Sequence, residues 1–227
     1  GGRGGDEITE ISATVDSMAD SLRERLQTEQ RFTADVAHEL RTPLMGLVTA
    51  SGLLPEGEST DLVRDRVGVL RTLVEDLLEI SRLDAGAEQA ELRPVPLAEM
   101  VGESVARTGL DTRFTATGAL SAQTDPRRLD RIVVNLVVNA HRHGRTPVEV
   151  EVAGTTVTVR DHGSGFPAEL LADGPQRFRT GASERGRGHG LGLTIALGQA
   201  RILGVSLEFA NAPDGGALAT LRLPPAG

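Results

Sequence analysis

The sequence predicts two consecutive domains of the α+β class. A helical hairpin, which closes a four-helix bundle only with a second copy, is followed by a mixed α/β domain. Three observations predict this. Apolar residues recur every three or four positions over most of the stretch from Asp6 to about Asp84, which "LPEGEST" divides into two helices. The composition then shifts at "DAGAEQAELRPVP", a linker by its Ala, Gly and Pro content. Beyond it, alternating runs such as "VEVEV" and "TTVTV" read as strands between helical stretches.

The first helix runs from Asp6 to about Leu54. Ile8, Ile11, Val15, Met18 and Leu22 form a coiled-coil seam that falters at Arg25 and Glu29. It resumes as Phe32, Val36, Leu40, Leu44 and Leu47. Pro55 and Gly57 break this helix, and Ser59 or Thr60 is the expected cap of the next. Val63, Val67, Leu70, Val74 and Leu77 are the second helix's stripe, widened by Leu62, Val69, Leu73 and Ile80. So broad a stripe suits a bundle rather than a two-stranded seam, which predicts a homodimer. In the second domain a helix is expected over Leu97–Thr108 and strands between 111 and 124. "DPRRLDRIVVNLVVNAHRHG" reads as a helix capped by Asp125 with Pro126 at its first position. Residues 148–152 and 155–159 form a hairpin, 163–188 read as loop, and a helix starts near Gly190. A last hairpin pairs 205–210 with 217–223.

Composition excludes several functions. The chain has no Cys, Trp or Tyr and only five Phe, so its core must come from Leu, Val, Ile and Ala. Lack of Cys rules out disulfides and thiolate metal sites. A net charge of −8 argues against a nucleic-acid partner. It also makes a polyanionic substrate depend on local positive charge or a metal ion. No apolar run approaches the roughly 18 residues of a membrane span. The opening "GGRGG" reads as a tag, linker or cut end, which suggests a piece of something larger.

Chemistry concentrates in four places. In "FTADVAHELRTPL", His38 lies about 200° round the helix from Val36, with Glu39 beside it and Thr42 one turn on. An exposed imidazole with a neighbouring carboxylate suits a nucleophile, and Pro43 predicts a bend below it. A solvated surface would give the same pattern. Asn135, Asn139 and Arg142 share a narrow stripe on an otherwise apolar helix. Their amides need a partner, either a structural carbonyl or Mg²⁺ with phosphate oxygens against Arg142. Asp161 in "DHGSG" ends a strand, where it either forms a turn or accepts a hydrogen bond from an adenine amine. Gly163 and Gly165 would then admit the base. From Gly163 to Gly192 there are eight glycines and four arginines, a locally basic stretch entering a helix at "GRGHGLGL". Helix-terminal N–H groups of that kind bind anions. The spacing is neither a P-loop nor a dinucleotide fingerprint. His141, His143, His162 and His189 make no metal set, since residues at i, i+2 do not face each other on a helix.

"FTADVAHELRTPL", "NLVVNAHRHG", "DHGSGFP", "RFRTG" and "GHGLGLTIA", in this order, resemble the sensor histidine kinases of two-component systems. "DEITEISATVDSMADSL" is similar to the last helix of the HAMP relay module. The resemblance implies a dimeric helical hairpin joined to an α/β sandwich of the Hsp90-like ATPase type. Residues 6–28 would be the relay helix, 29–86 the dimerisation and phosphotransfer domain, 87–93 a linker and 94–227 the catalytic domain. It implies His38 as phosphoacceptor, Glu39 as its acid–base partner and Thr42 as positioning water in a phosphatase reaction. Asn139 would hold Mg²⁺, with Asn135, Arg142 and His143 near the ATP. Asp161 would read adenine, and Gly163 and Gly165 would shape the pocket. Phe178 would anchor a lid, while Gly188, Gly190, Leu191 and Gly192 would lie at the phosphates.

The implied activity is ATP-dependent autophosphorylation of His38, then transfer to an aspartate of a response regulator. The parent would sit in the cell membrane through segments absent here, with this part on the cytoplasmic side. The alternative is an ATP-binding scaffold without phosphoryl transfer. Three features depart from the family pattern: Arg142 where lysine is common, His189 where the residue is usually small, and a short hairpin.

Overall fold

The computed structural model describes residues 3–86, 88–175 and 191–227, and their side chains except those of 3–14, 23 and 25–34. The chain divides into two compact units, Gly1–Ala85 and Gly86–Gly227.

The first unit is the expected hairpin, α1 (Arg3–Gly52) and α2 (Glu58–Asp84). The helix α1 continues through Pro43. Neither Ser59 nor Thr60 caps α2; Gly57 takes that place, and its carbonyl accepts from the amides of Thr60 and Asp61. Glu58 and Asp61 in the first turn complement the helix dipole. The hairpin's internal seam keeps Leu44, Val67, Val74 and Ile80 of the expected stripes and adds Ala37 and Leu78 from their flank. Ala37 and Leu44 of α1 are buried against Val74 and Leu78 of α2. Val36, Leu40 and Leu47 stay largely exposed, as do Leu62, Val63, Val69 and Leu70 on α2. The stripe is wider than one neighbour can cover, so a single pair of helices buries only its inner edge. The upstream seam positions Val15, Met18 and Leu22 are exposed as well, and Ile8, Ile11, Arg25, Glu29 and Phe32 fall outside the described side chains.

The second unit is a helix layer on a sheet. Its elements are β1 (Arg93–Pro96), α3 (Leu97–Arg107), β2 (Thr112–Thr117), β3 (Ser121–Thr124), α4 (Pro126–His143), β4 (Val148–Ala153) and β5 (Thr156–Arg160). After these come α5 (Ala168–Asp173), α6 (Gly192–Leu203), β6 (Ser206–Asn211) and β7 (Ala217–Arg222). Five strands lie in the order β2-β4-β5-β7-β6. Only β2–β4 is parallel; the other pairs are antiparallel. Val148, Val150, Val152, Val157, Val159, Ala219 and Leu221 point one way from the sheet, as period-two alternation requires. They meet Ile132, Val133, Leu136 and Val137 of α4 and Ala196 and Ala200 of α6 in one buried core.

Two elements lie hidden in the predicted linker and loop. Arg93–Pro96 pairs with β3 although it holds two prolines. This ladder has only two strands, so a missing proline N–H costs nothing on an outer edge. A short helix, α5, interrupts the expected 163–188 loop.

The stretch before β1 is fastened to α4 by charge. Asp125 caps α4 by accepting from Arg127 N and Arg128 N, and its other oxygen accepts from Glu91 N at 3.1 Å. Arg128, 12% exposed, pairs with Glu88 at 3.0 Å and donates to Gln199 Oε1 of α6 at 2.7 Å. It also donates to the carbonyl of Gln89 at 3.2 Å. Truncating so enclosed a guanidinium strands its acceptors. Arg128→Ala should therefore destabilise this unit by about 2 kcal/mol. Urea unfolding checks this, and an unchanged midpoint would contradict the tether.

Candidate functional site

His38 is carried on the exposed side of α1, and Glu39 and Thr42 are exposed with it. Packing explains the orientation. The adjoining Ala37 is fully buried and Leu44, two turns on, is 7% exposed, so the face they define turns inward. His38 follows Ala37 by one residue, about 100° round the helix, and reaches solvent.

The other candidates belong to the second unit, where Asp161 is 3% exposed just past the end of β5. Its Oδ1 accepts from Gly163 N at 2.7 Å and from Ala217 N at 3.2 Å. Its own N–H donates to the carbonyl of Ala217 at 3.0 Å, extending the sheet by one rung. The carboxylate is thus buried but hydrogen-bonded to main chain, which lets it remain an acceptor.

Three glycines make this possible. A Cβ on Gly144 would stand 2.2 Å from Asp161 Cγ, and one on Gly163 would stand 2.9 Å from the Gly144 Cα. At Gly216, with φ +92°, a Cβ would stand 1.9 Å from the Asp161 carbonyl oxygen. The sequence reading has Gly163 admit a ligand; in the structure it also admits the main chain of Gly144 and Arg145 and supplies a donor to Asp161. Gly165 has φ +82° and lies against Asn211, its Cβ position 2.6 Å from Asn211 Oδ1.

Further contacts tie together the segments that converge on Asp161. His162 N donates to the Arg145 carbonyl at 2.9 Å, and its Nδ1 lies 2.9 Å from the carbonyl oxygen of Pro147. Its Nε2 is 3.8 Å from Glu149. Arg160 donates to Asp214 at 2.6 Å and to the Gly215 carbonyl at 3.3 Å, pinning the turn that delivers Gly216. That hydrogen bond holds the Asp214 carboxyl below the ordinary carboxylate range and raises Arg160.

The asparagines behave differently from each other. Asn135 donates from Nδ2 to the Arg131 carbonyl of its own helix at 2.8 Å. Its Oδ1 is turned toward α6, where a Cβ on Gly192 would come within 3.1 Å. The fold thus brings Asn135 and Gly192 together. Asn139 is half-buried one turn further, and Arg142 and His143 close the helix, the former exposed. Leu191 is 1% exposed at the N-cap of α6, where its carbonyl accepts from Ile195 N. Phe178, Gly188, His189 and Gly190 lie outside the described residues. His141 bonds Thr112 through its ring at 2.9 Å, a structural use.

Sequence reasoning missed Gly144, Gly216, Ala217 and Asn211. The signals were present: Gly144 ends the "NAHRHG" helix and Gly216 ends "PDGG", but each also fits an ordinary cap or hairpin turn.

Two family models match the chain. The His Kinase A (phospho-acceptor) domain covers residues 28–86, and the histidine kinase-, DNA gyrase B- and HSP90-like ATPase covers 124–227. Together these two modules define a histidine kinase core. Sensor protein CseC of Streptomyces avermitilis is 53% identical over 229 residues, covering 96% of this chain and 47% of that protein. CseC of Streptomyces coelicolor is 52% identical, covering 96% of this chain and 45% of its own length. The chain belongs to the sensor histidine kinases of bacterial two-component systems, and it spans about half the length of these curated relatives. Among solved structures, full-length ShkA in complex with AMPPNP shares the fold, with a TM-score of 0.68 at 23% identity. That match covers 86% of this chain and 46% of ShkA.

The cradle makes a direct demand on sequence. Gly144→Ala, which must displace Asp161, should cost about 2–3 kcal/mol in chemical denaturation. A variant as stable as the parent would show that the carboxylate tolerates another position.

Proposed function

We propose that this chain is the cytoplasmic kinase core of a membrane-anchored sensor. It phosphorylates His38 from ATP and passes the group to an aspartate of a response regulator. In this reading residues 6–28 are the end of a HAMP-like relay helix and 29–86 the dimerisation and phosphotransfer domain. Residues 87–93 link them to the catalytic domain, 94–227. The observation that carries the reading is Asp161, a buried carboxylate fixed by two main-chain donors on Oδ1. Its second oxygen is then the acceptor for the exocyclic amine of adenine. In this reading Gly163 and Gly165 shape the pocket beside it, and the AMPPNP held by ShkA, a chain of the same fold, is an adenine nucleotide.

The residues on α4 suit the phosphate end. Asn139 is the amide oxygen for Mg²⁺, with Asn135 nearby, its Oδ1 turned toward Gly192. Arg142 and His143 sit at the same helix end for phosphate oxygens. When bound, Mg²⁺ would neutralise charge on the phosphates. Leu191 and Gly192, at the start of α6, are the described residues of the phosphate side in this reading.

The imidazole of His38 attacks the γ-phosphorus. A nitrogen–phosphorus bond forms as the bond to the bridging oxygen breaks, and ADP leaves with that electron pair. Glu39 accepts or orients the proton on the other ring nitrogen. In the second step a carboxylate oxygen of the regulator forms the new bond to phosphorus and the histidine is released. Thr42, one turn from His38, positions water that attacks the regulator's aspartyl phosphate in the phosphatase reaction, releasing inorganic phosphate and the free carboxylate. The exposed Val36, Leu40, Leu47, Leu62 and Leu70 support a homodimer, whose second hairpin covers them.

Incubation with γ-labelled ATP and Mg²⁺ tests this. Acid-labile, alkali-stable label should appear on the chain, vanish in His38→Ala, and fall at least about 100-fold in Asn139→Ala. Label persisting in His38→Ala would displace the phosphoacceptor. Bound ATP without label would favour the scaffold.

A further inference from the structure

The segment leaving Asp161 is held at both ends, and the far end depends on a residue outside every family motif in the chain. Phe209 and Asn211 stand two apart on β6 and therefore on one side of the strand. Phe209 meets the ring of Phe166 edge-on, with centroids 5.4 Å apart at 78°. Asn211 takes the main chain of the same residue. Its Oδ1 accepts from Phe166 N at 2.6 Å and its Nδ2 donates to Phe166 O at 3.1 Å. One amide thus does what a neighbouring strand would do, at the edge of the sheet where no further strand follows β6 among the described residues.

The contact is close. Gly165 adopts φ +82°, and a Cβ there would fall 2.6 Å from Asn211 Oδ1 and 2.7 Å from its Cγ. Asn211 is exposed, so water could satisfy its amide and core burial does not require these bonds. What they fix is the loop. Phe166 is three residues from Gly163, whose N–H is one of the two donors on Asp161 Oδ1.

We infer that Asn211 is a positioning residue for nucleotide recognition, acting through the 163–166 loop on the carboxylate of Asp161. This rests on the reading of Asp161 as the adenine acceptor. The residue type suits this role, because an amide both accepts and donates, whereas aspartate keeps the acceptor and loses the donor. Loosening the loop should weaken binding of the base and leave phosphoryl transfer, which uses other residues, intact.

The test uses the full chain, with ADP affinity by calorimetry and the ATP dependence of autophosphorylation. Asn211→Ala should raise the ADP dissociation constant and the KM for ATP about tenfold, consistent with losing two hydrogen bonds. Its kcat should stay within about twofold, and its thermal midpoint within about 2 °C. Asn211→Asp should fall between, at about threefold. Asp161→Asn is run beside them. If it loses ADP while Asn211→Ala binds normally, the adenine reading stands and the positioning role is overturned. If Asp161→Asn also binds ADP normally, the adenine reading fails and takes this inference with it. A lower kcat at unchanged KM, or a large fall in midpoint, would mark Asn211 as merely structural and overturn the role.

Discussion

The second unit of this chain is organised around one buried carboxylate. Asp161 sits at 3% exposure with Gly163 N–H and Ala217 N–H on a single oxygen. Burying a charge with fixed main-chain donors keeps it an acceptor and fixes its direction. The cost is steric: three glycines must surround it, from the end of α4, the loop after β5 and the turn before β7. Those segments are far apart in sequence and meet because α4, β5 and β7 share one core. Any shift in that packing moves the carboxylate, so the fold and the proposed base recognition are one constraint.

The first unit follows a different logic. Ala37 and Leu44 bury one edge of a wide apolar stripe, and His38 is delivered to solvent because its neighbour Ala37 is turned inward. The remaining apolar face is left uncovered by α2. A hairpin built this way is stable as half of something larger, which fits the proposed dimer. It also leaves the histidine exposed, as the proposed two-step transfer requires.

Much of this was legible in the sequence. The hairpins around Gly154 and "NAPDGG", the Asp125 cap and the helix that follows it all rest on local signals, and they stand as expected. Local signals failed where pairing decided the outcome. Arg93–Pro96 reads as linker until β3 lies beside it, and the helical stripe cannot say which of its edges the partner helix takes. The site divided in the same way. Asp161 stood out as a carboxylate at a strand end followed by spaced glycines. Gly144, Gly216 and Asn211 did not, because each is ordinary in its own segment and acts only through a neighbour distant in sequence. The role of Asn135 was half legible: its amide hydrogen finds the Arg131 carbonyl, an answer internal to the helix that periodicity could not separate from ligand binding.

The most direct measurement is the affinity of the chain for ADP against inosine diphosphate, which replaces the exocyclic amine with a carbonyl oxygen. A site whose buried carboxylate accepts from that amine should bind the inosine nucleotide at least about 100-fold more weakly, since an acceptor would then face an acceptor. Equal affinities would contradict the account, leaving Asp161 as a structural pin of the sheet end and placing base recognition elsewhere.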